Sequence, residues 1–223
     1  MLSETREKLI KSLHLKKGRL KHGLCLVEGQ KIIDMVGDLL EYSFGPEDSK
    51  QFDKLVTTET PQSQAAVARI PEFTEADVQA RKITIVLDGV QDPGNVGAIL
   101  RLCLGFEASL ILIESADVTS PKVVRSSAGA MFKVPWIQVA REDAAALIKE
   151  LDRPVYRLEK TTSAEKLGVA NIKTPLILIA GSEGQGITLE TKGRSIYVDH
   201  SSELESLNVG NALAIALYTL GQK

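Results

Sequence analysis

The sequence predicts an α/β protein with a mainly parallel sheet. Three observations lead there: continuous β-rich apolar runs, helical patterns between them, and glycine-bearing loops directly after the runs. The runs cover residues 83–87, 109–113, 154–158 and 176–180, with a shorter one at 196–198. An unbroken apolar run is what a strand buried on both faces requires. The helical patterns lie at 96–104, 143–151 and 209–220. The last is apolar almost all round, so it is expected to be covered by protein, in part by a second subunit.

The N-terminal third has a different character. A strand is expected at 24–27, ending in Glu28 and Gly29, followed by a helical pattern through Ile32, Ile33, Met35, Val36, Leu39 and Leu40. Residues 42–69 are polar and mixed, with Gly45 and Pro46 as a turn signal and Leu55 and Val56 as a short strand. Pro71, Glu72, Phe73, Thr74 and Glu75 form an acidic, proline-bearing joint of the kind that links domains. The expected division is therefore a first domain over 1–75 and a second over 81–223.

Composition narrows the function. A net charge of −2 excludes a protein that coats nucleic acid by bulk charge, but it leaves room for a local basic patch. Such a patch exists in the first 22 residues, where Arg6, Lys8, Lys11, Lys16, Lys17, Arg19 and Lys21 face only Glu4 and Glu7. It reads either as a solvated helix face or as a phosphate grip. Cys25 and Cys103 have neither CxxC spacing nor a histidine cluster, so no metal site and no disulfide is expected. With no signal-peptide pattern and no apolar run near ~20 residues, the expected location is the cytoplasm.

In an open parallel sheet, ligands bind beyond the carboxyl ends of the strands. Three loops there carry unusual residues. The first holds Asp92, Pro93, Gly94, Asn95 and Gly97 ahead of a helix bearing Arg101. Either Asp92 or Asn95 could cap that helix, and with Asn95 as the cap Arg101 lies about one and a half turns in. The second, Gly181 to Gly186, spaces its glycines as G-x-x-G-x-G. It therefore fits neither the dinucleotide fingerprint nor the phosphate loop, which disfavours a nicotinamide enzyme. Glu183 in its middle would repel a pyrophosphate. The third holds Glu205, Ser206, Leu207 and Asn208, and Ser206 or Asn208 could simply cap the helix that follows.

Taken in order, these three loops resemble the motifs of the SpoU (TrmH-like) branch of the SPOUT methyltransferase superfamily. Lys122 to Ala130 is similar to a further family segment. The resemblance spans residues 81–223. A weaker one relates Leu15 to Arg19 and Leu26 to Gly29 to a small L30e-like substrate-binding domain. The resemblance implies a deep C-terminal trefoil knot, a homodimer, and S-adenosylmethionine as cofactor. It implies cofactor contacts at Gly181, Val198 and Leu207, and catalytic or substrate-positioning roles for Asn95, Arg101, Glu183, Ser206 and Asn208. The implied RNA contacts are Lys16, Lys17, Arg19, Lys21 and Arg125.

The implied reaction is 2′-O-methylation of a ribose in structured RNA, ribosomal RNA ahead of transfer RNA. A non-catalytic RNA-binding or assembly factor keeping the fold is the reading from another class. One departure stands out. Where the family usually has Ile-Pro-Met, this chain has Val198, Asp199 and His200, so two ionisable groups fall near the adenosine pocket. They read as neutral loop variation or as an adjustment of cofactor binding. On the expected division, a chain lacking residues 1–75 should still fold, bind cofactor and dimerise.

Overall fold

The computed structural model describes residues 1–58, 60 and 63–221. The chain divides into two compact units, each of them discontinuous: Met1–Glu72 with Asp117–Lys133, and Phe73–Ala116 with Val134–Lys223.

The first unit begins with α1 (Glu4–Leu13) and α2 (Lys16–His22), followed by β1 (Leu24–Glu28), α3 (Gln30–Val36), β2 (Leu40–Phe44), α4 (Phe52–Leu55) and β3 (Ala65–Arg69). Its sheet has the order β1-β3-β2, with both pairings antiparallel. Ser3 caps α1 by accepting from the Arg6 amide, and α1 buries Ile10 and Leu13 against Phe44, Phe52 and Leu55. Two expectations are corrected here. The helix expected through Leu40 stops at Val36, because Gly37 takes a positive φ of 62° and the chain then re-enters as β2. Leu55 closes the short helix α4, where Phe52 and Leu55 share one face at helical spacing, rather than forming a strand. The stretch read as polar and mixed also hides β3, whose small residues Ala65, Ala66, Val67 and Ala68 are all buried.

The second unit opens with α5 (Glu75–Gln79), which starts at the last residue of the acidic joint, where Thr74 and Asp77 form a capping box. There follow β4 (Ile83–Asp88), α6 (Pro93–Gly105) and β5 (Ser109–Ile113). The chain then returns to the first unit for α7 (Pro121–Ser126) and comes back as β6 (Trp136–Val139), α8 (Arg141–Glu150), β7 (Val155–Leu158), β8 (Glu165–Lys166), β9 (Leu176–Gly181), β10 (Arg194–Tyr197) and α9 (Val209–Gly221). The seven strands run in the order β6-β5-β4-β9-β7-β10-β8, with parallel pairings throughout, as the apolar runs predict. Val86, Ile111, Ile113, Ile177 and Ile179 pack with Ala144, Leu147 and Ile148 of α8 on one face. On the other, Ile85 and Leu87 are equally buried, with α6 and α9 packed on β5 and β9. Among the described residues, no helix is long and apolar enough to cross a membrane.

The return segment Asp117–Lys133 is tied into the first unit by ionic contacts. The Arg19 guanidinium is only 3% exposed. It donates to Asp117 Oδ2 at 2.6 Å, Thr119 Oγ1 at 3.0 Å, and the carbonyls of Leu13 at 2.8 Å and His14 at 3.0 Å. Expected on the RNA-facing surface, Arg19 instead points inward, with its guanidinium making four hydrogen bonds inside the first unit. Arg125, expected to hold RNA, is half-buried and donates to the buried Glu28 carboxylate and to Thr57 Oγ1. Lys16, Lys17 and Lys21 are exposed. The segment also buries Pro121, Val123 and Val124, with α7 packed on β1. A cut after residue 75 would therefore strip α7 of its partner strand, and such a chain is expected to aggregate, a monodisperse product counting against this.

Asp117 generates a quantitative expectation. Burial pushes its carboxyl up, but hydrogen bonds from Arg19 and Thr119 outweigh that and hold it below the ordinary carboxylate value. Asp117→Asn leaves the Arg19 charge buried without its counter-charge, at a cost of about 3 kcal/mol at neutral pH. Because the folded-state pKa is depressed, the stabilisation is complete above the unfolded value of ~3.9 and is lost as pH falls through the folded one. Urea unfolding at pH 7 and pH 3 should thus show a large gap between variant and wild type that narrows in acid.

Candidate active site

The strand order reverses at β4 and β9, which lie side by side in parallel with Asp88 opposite Gly181. The loops leaving their carboxyl ends therefore start as neighbours, the usual situation of a ligand site in an open sheet.

Asp92 is the residue that caps α6: its side chain accepts from the Asn95 amide at 2.8 Å, with Pro93 in the first turn. Two consequences follow. Arg101 lies about two and a half turns from the cap, not one and a half. Asn95, spared the capping role, has its side-chain amide free for another use. It donates to Glu183 Oε1 at 2.6 Å across 88 residues of sequence. Asn208 completes the triangle, donating to Asn95 Oδ1 at 2.9 Å and to Glu183 Oε1 at 3.2 Å. The other end of the same Asn208 side chain accepts from the amides of Gly210 at 2.9 Å and Asn211 at 3.2 Å, at the start of α9. Asn208 thus holds a helix terminus and belongs to the polar network at once.

The second loop closes on itself. Gly186 N–H donates to Ser182 C=O at 2.9 Å. A Cβ on Gly181 would lie 2.0 Å from the Gly186 carbonyl oxygen, so only glycine fits there. This loop forms one wall of a cavity of about 390 Å³. Gly181, Val198 and Leu207, the expected cofactor contacts, all line it, as do Glu183 and Ser206. Sequence reasoning missed Leu158, Glu159 and Tyr197, which line it too. Leu158 and Tyr197 end parallel strands, so the strand-end rule could have found them. Burial would raise the Glu159 carboxyl, but hydrogen bonds from Arg157 and Ser195 outweigh it and keep the group below the ordinary carboxylate range.

The departure at Asp199 and His200 also finds its place. Asp199 turns away to an exposed ion pair with Lys166, which lowers its carboxyl pKa. His200 lines the cavity, with Nδ1 2.7 Å from the Val198 carbonyl oxygen. Arg101 is not part of this cavity. It is exposed and lines a separate groove between α6 and α9 together with Leu102, Phe106, Asn208, Asn211 and Ala214. Among the described residues its guanidinium has no ion-pair or hydrogen-bond partner. The network residue Asn208 is common to that groove and to the triangle at the cavity's rim.

The chain matches the model of the SpoU rRNA Methylase family over residues 82–218. It is similar to the 23S rRNA (guanosine(2553)-2'-O)-methyltransferase RlmP of Bacillus subtilis (strain 168), with 31% identity over 94% of this chain and 93% of that protein. A 23S rRNA (adenosine(1067)-2'-O)-methyltransferase of Streptomyces azureus is 31% identical over 77% of this chain and 66% of its own. Among solved structures, a chain assigned to the TrmH family of RNA methyltransferases from Porphyromonas gingivalis superposes with a TM-score of 0.85 at 32% identity, covering 99% and 98% of the two chains. An AdoMet-bound rRNA methyltransferase from Sinorhizobium meliloti shares the fold, with a TM-score of 0.86 at 22% identity and coverage of 100% and 97%.

The loop geometry can be tested without any ligand. Gly181→Ala places its methyl group against backbone that cannot yield, and is expected to cost about 1–3 kcal/mol in urea unfolding. Gly184→Ala, with open space around the new Cβ, should stay within about 0.5 kcal/mol of wild type. Equal stabilities for the two variants would show that the loop is not closed as described.

Proposed function

The chain belongs to the SpoU rRNA methylase family, and on that basis we propose that it methylates a ribose 2′-hydroxyl of ribosomal RNA. The proposed cofactor is S-adenosylmethionine. The observation that carries the reading is the meeting of Asn95, Glu183 and Asn208 at the rim of a cavity lined by Gly181, Val198 and Leu207. The cavity's chemistry suits the cofactor. Leu158, Val198 and Leu207 offer apolar contact for a base, while the Gly181–Gly186 backbone and Glu159 offer polar groups. When bound there, S-adenosylmethionine supplies an electrophilic methyl group.

The remaining work falls to the chain's own residues. A ribose hydroxyl becomes an adequate nucleophile when it is oriented in line and its developing charge is stabilised. An Arg101 guanidinium without internal partners is suited to hold a phosphate by two parallel hydrogen bonds and to place positive charge near that oxygen. A guanidinium offers hydrogen-bond donors and no acceptor, so the proton passes to another group or to water. Asn208 fixes the distance between the Arg101 groove and the Glu183 side of the cavity. Ser206 stands at the cavity wall, available to the same substrate. The relatives act on a guanosine and on an adenosine of 23S rRNA. The base is therefore not part of the proposal.

Lys16, Lys17 and Lys21 on α2, with Arg125 of α7, are the proposed RNA contacts of the first unit, which we read as the L30e-like substrate-binding domain. The loops around 182–187 and 199–208 are read as the threaded loops of a trefoil knot. A homodimer is part of the proposal, since α9 leaves Ile215 42% and Tyr218 61% exposed and Leu104 of α6 is also exposed. A second copy of the chain would cover them. The proposed place of action is the cytoplasm.

Single-turnover transfer of labelled methyl to ribosomal RNA, with the product's methylated atom mapped, tests the chemistry. Arg101→Ala should lower the rate by ~10²–10³ and leave calorimetric cofactor affinity within a few-fold. Arg101→Lys should recover little, because an ammonium lacks the planar fork. A methyl group found on a base, or a normal rate in Arg101→Ala, overturns the mechanism. RNA affinity should fall steeply with salt and less steeply in Lys16→Ala/Lys17→Ala/Lys21→Ala. Ile215→Glu/Tyr218→Glu should convert a dimer to a monomer in light scattering.

A further inference from the structure

Beyond the second motif loop, residues 187–193 form no regular secondary structure, so their backbone groups need partners from elsewhere. Thr191 N–H turns back to the Leu189 carbonyl at 2.9 Å, and two charged side chains supply further partners. The Asp88 carboxylate, fully buried at the end of β4, accepts from the amides of Thr188 at 2.6 Å and Leu189 at 2.7 Å, and from Thr188 Oγ1 at 3.2 Å. Its other oxygen accepts from Arg141 at 2.8 Å. The Arg157 guanidinium takes the opposite polarity of the same segment. It donates to the carbonyls of Leu189 at 3.0 Å and Thr191 at 3.0 Å, and more distantly to Ile187. Leu189 is the pivot: its N–H is held by Asp88, its C=O by Arg157, and its side chain lies in the core with Val86, Ile177 and Ile179.

We propose that Asp88 and Arg157 form a two-sided clamp on residues 187–191, a pair of positioning residues that sets cofactor affinity. The inference rests on the function proposed above. The loop that frames the cavity leaves β9 at Gly181, opposite Asp88, and returns at Thr188 to the same Asp88 carboxylate. One residue therefore stands at both ends of the loop: its backbone pairs in the sheet opposite Gly181, and its side chain holds the amides of Thr188 and Leu189. Between those points lie Glu183, whose contacts with Asn95 and Asn208 need this register, and the cavity wall. Burying a carboxylate is costly unless its hydrogen bonds are fixed, so the segment has one low-energy position rather than several. Arg157 also holds Glu159, which lines the cavity, so the clamp touches two walls of it.

The test uses the full chain with Asp88→Asn, Arg157→Lys and the double variant. The asparagine substitution keeps an acceptor oxygen and removes the charge, while lysine reaches fewer carbonyls than the guanidinium. Each single variant should raise the calorimetric Kd for S-adenosylmethionine by roughly 10- to 100-fold, the order of effect expected when a hydrogen bond to a charged group is lost. In the double variant the increase should be smaller than the product of the single increases, because both changes release one segment. Amide hydrogen exchange of residues 182–191, measured without cofactor, should quicken in each variant. A lowered Tm with unchanged Kd and unchanged exchange in the folded protein would reduce the pair to a structural role and overturn the proposal, as would strictly multiplicative effects. If Asp88→Asn does not fold, Arg157→Lys decides alone by the same readouts. If wild type binds no S-adenosylmethionine, the proposed function fails, and the exchange of residues 182–191 still decides whether the clamp positions the loop.

Discussion

Parallel pairing of β4 with β9 places Asp88 opposite Gly181, and the site is built on that register. Parallel strands leave their loops at one edge of the sheet, and a reversal of strand order there brings together loops far apart in sequence. Asn95 and Glu183 are 88 residues apart, yet they meet at 2.6 Å because their strands are neighbours. The core that fixes this register is local and apolar: Val86 and Ile179 on one face, Ile85 and Leu87 on the other, all fully buried. A shift by one residue would turn each strand's faces over and separate the loops. The hydrophobic core therefore holds the polar site in place, and the polar contacts add precision to it.

Charged residues divide into those that face water and those that replace missing backbone partners. Lys16, Lys17 and Lys21 lie on an exposed helix, while Arg19, one turn along the same helix, is buried among two carbonyls, a threonine and Asp117. Asp88 and Arg157 serve the second unit in a similar way, since they satisfy the amides and carbonyls of an irregular segment. In each case a charge that is buried or partly buried compensates backbone that no ladder or helix reaches. Such contacts are expensive to break from one side, which gives the segments they hold a single position.

Asn208 shows how little material the site uses. Its carbonyl oxygen serves the first amides of α9 and its amide serves Asn95 and Glu183, so capping and site geometry are the same interaction seen from two ends. The cap that the sequence allows at this residue is thus observed, and the same side chain also bonds to Asn95 and Glu183. At α6 the outcome differs: Asp92 takes the cap and thereby frees Asn95. The two asparagines reach the network by opposite routes.

The sequence by itself determined the parallel α/β unit, the strands at 83–87, 109–113 and 176–180, and the three loops that hold the candidate site residues. These are local signals, carried by unbroken apolar runs, glycine spacing and turn residues within a few positions of one another. It also carried the family, because the motif residues stand in a fixed order. Tertiary structure decided the rest. It alone showed that residues 117–133 belong with the first unit, that Arg19 points inward, that β3 hides in a polar stretch, and that Asp88 and Arg157 hold residues 187–191. Each of these depends on groups roughly 30 to 100 residues apart, and a hydrogen bond across that distance leaves no period in the sequence. Only the packed sheet, by fixing which strand ends are neighbours, determines which distant charge meets which backbone.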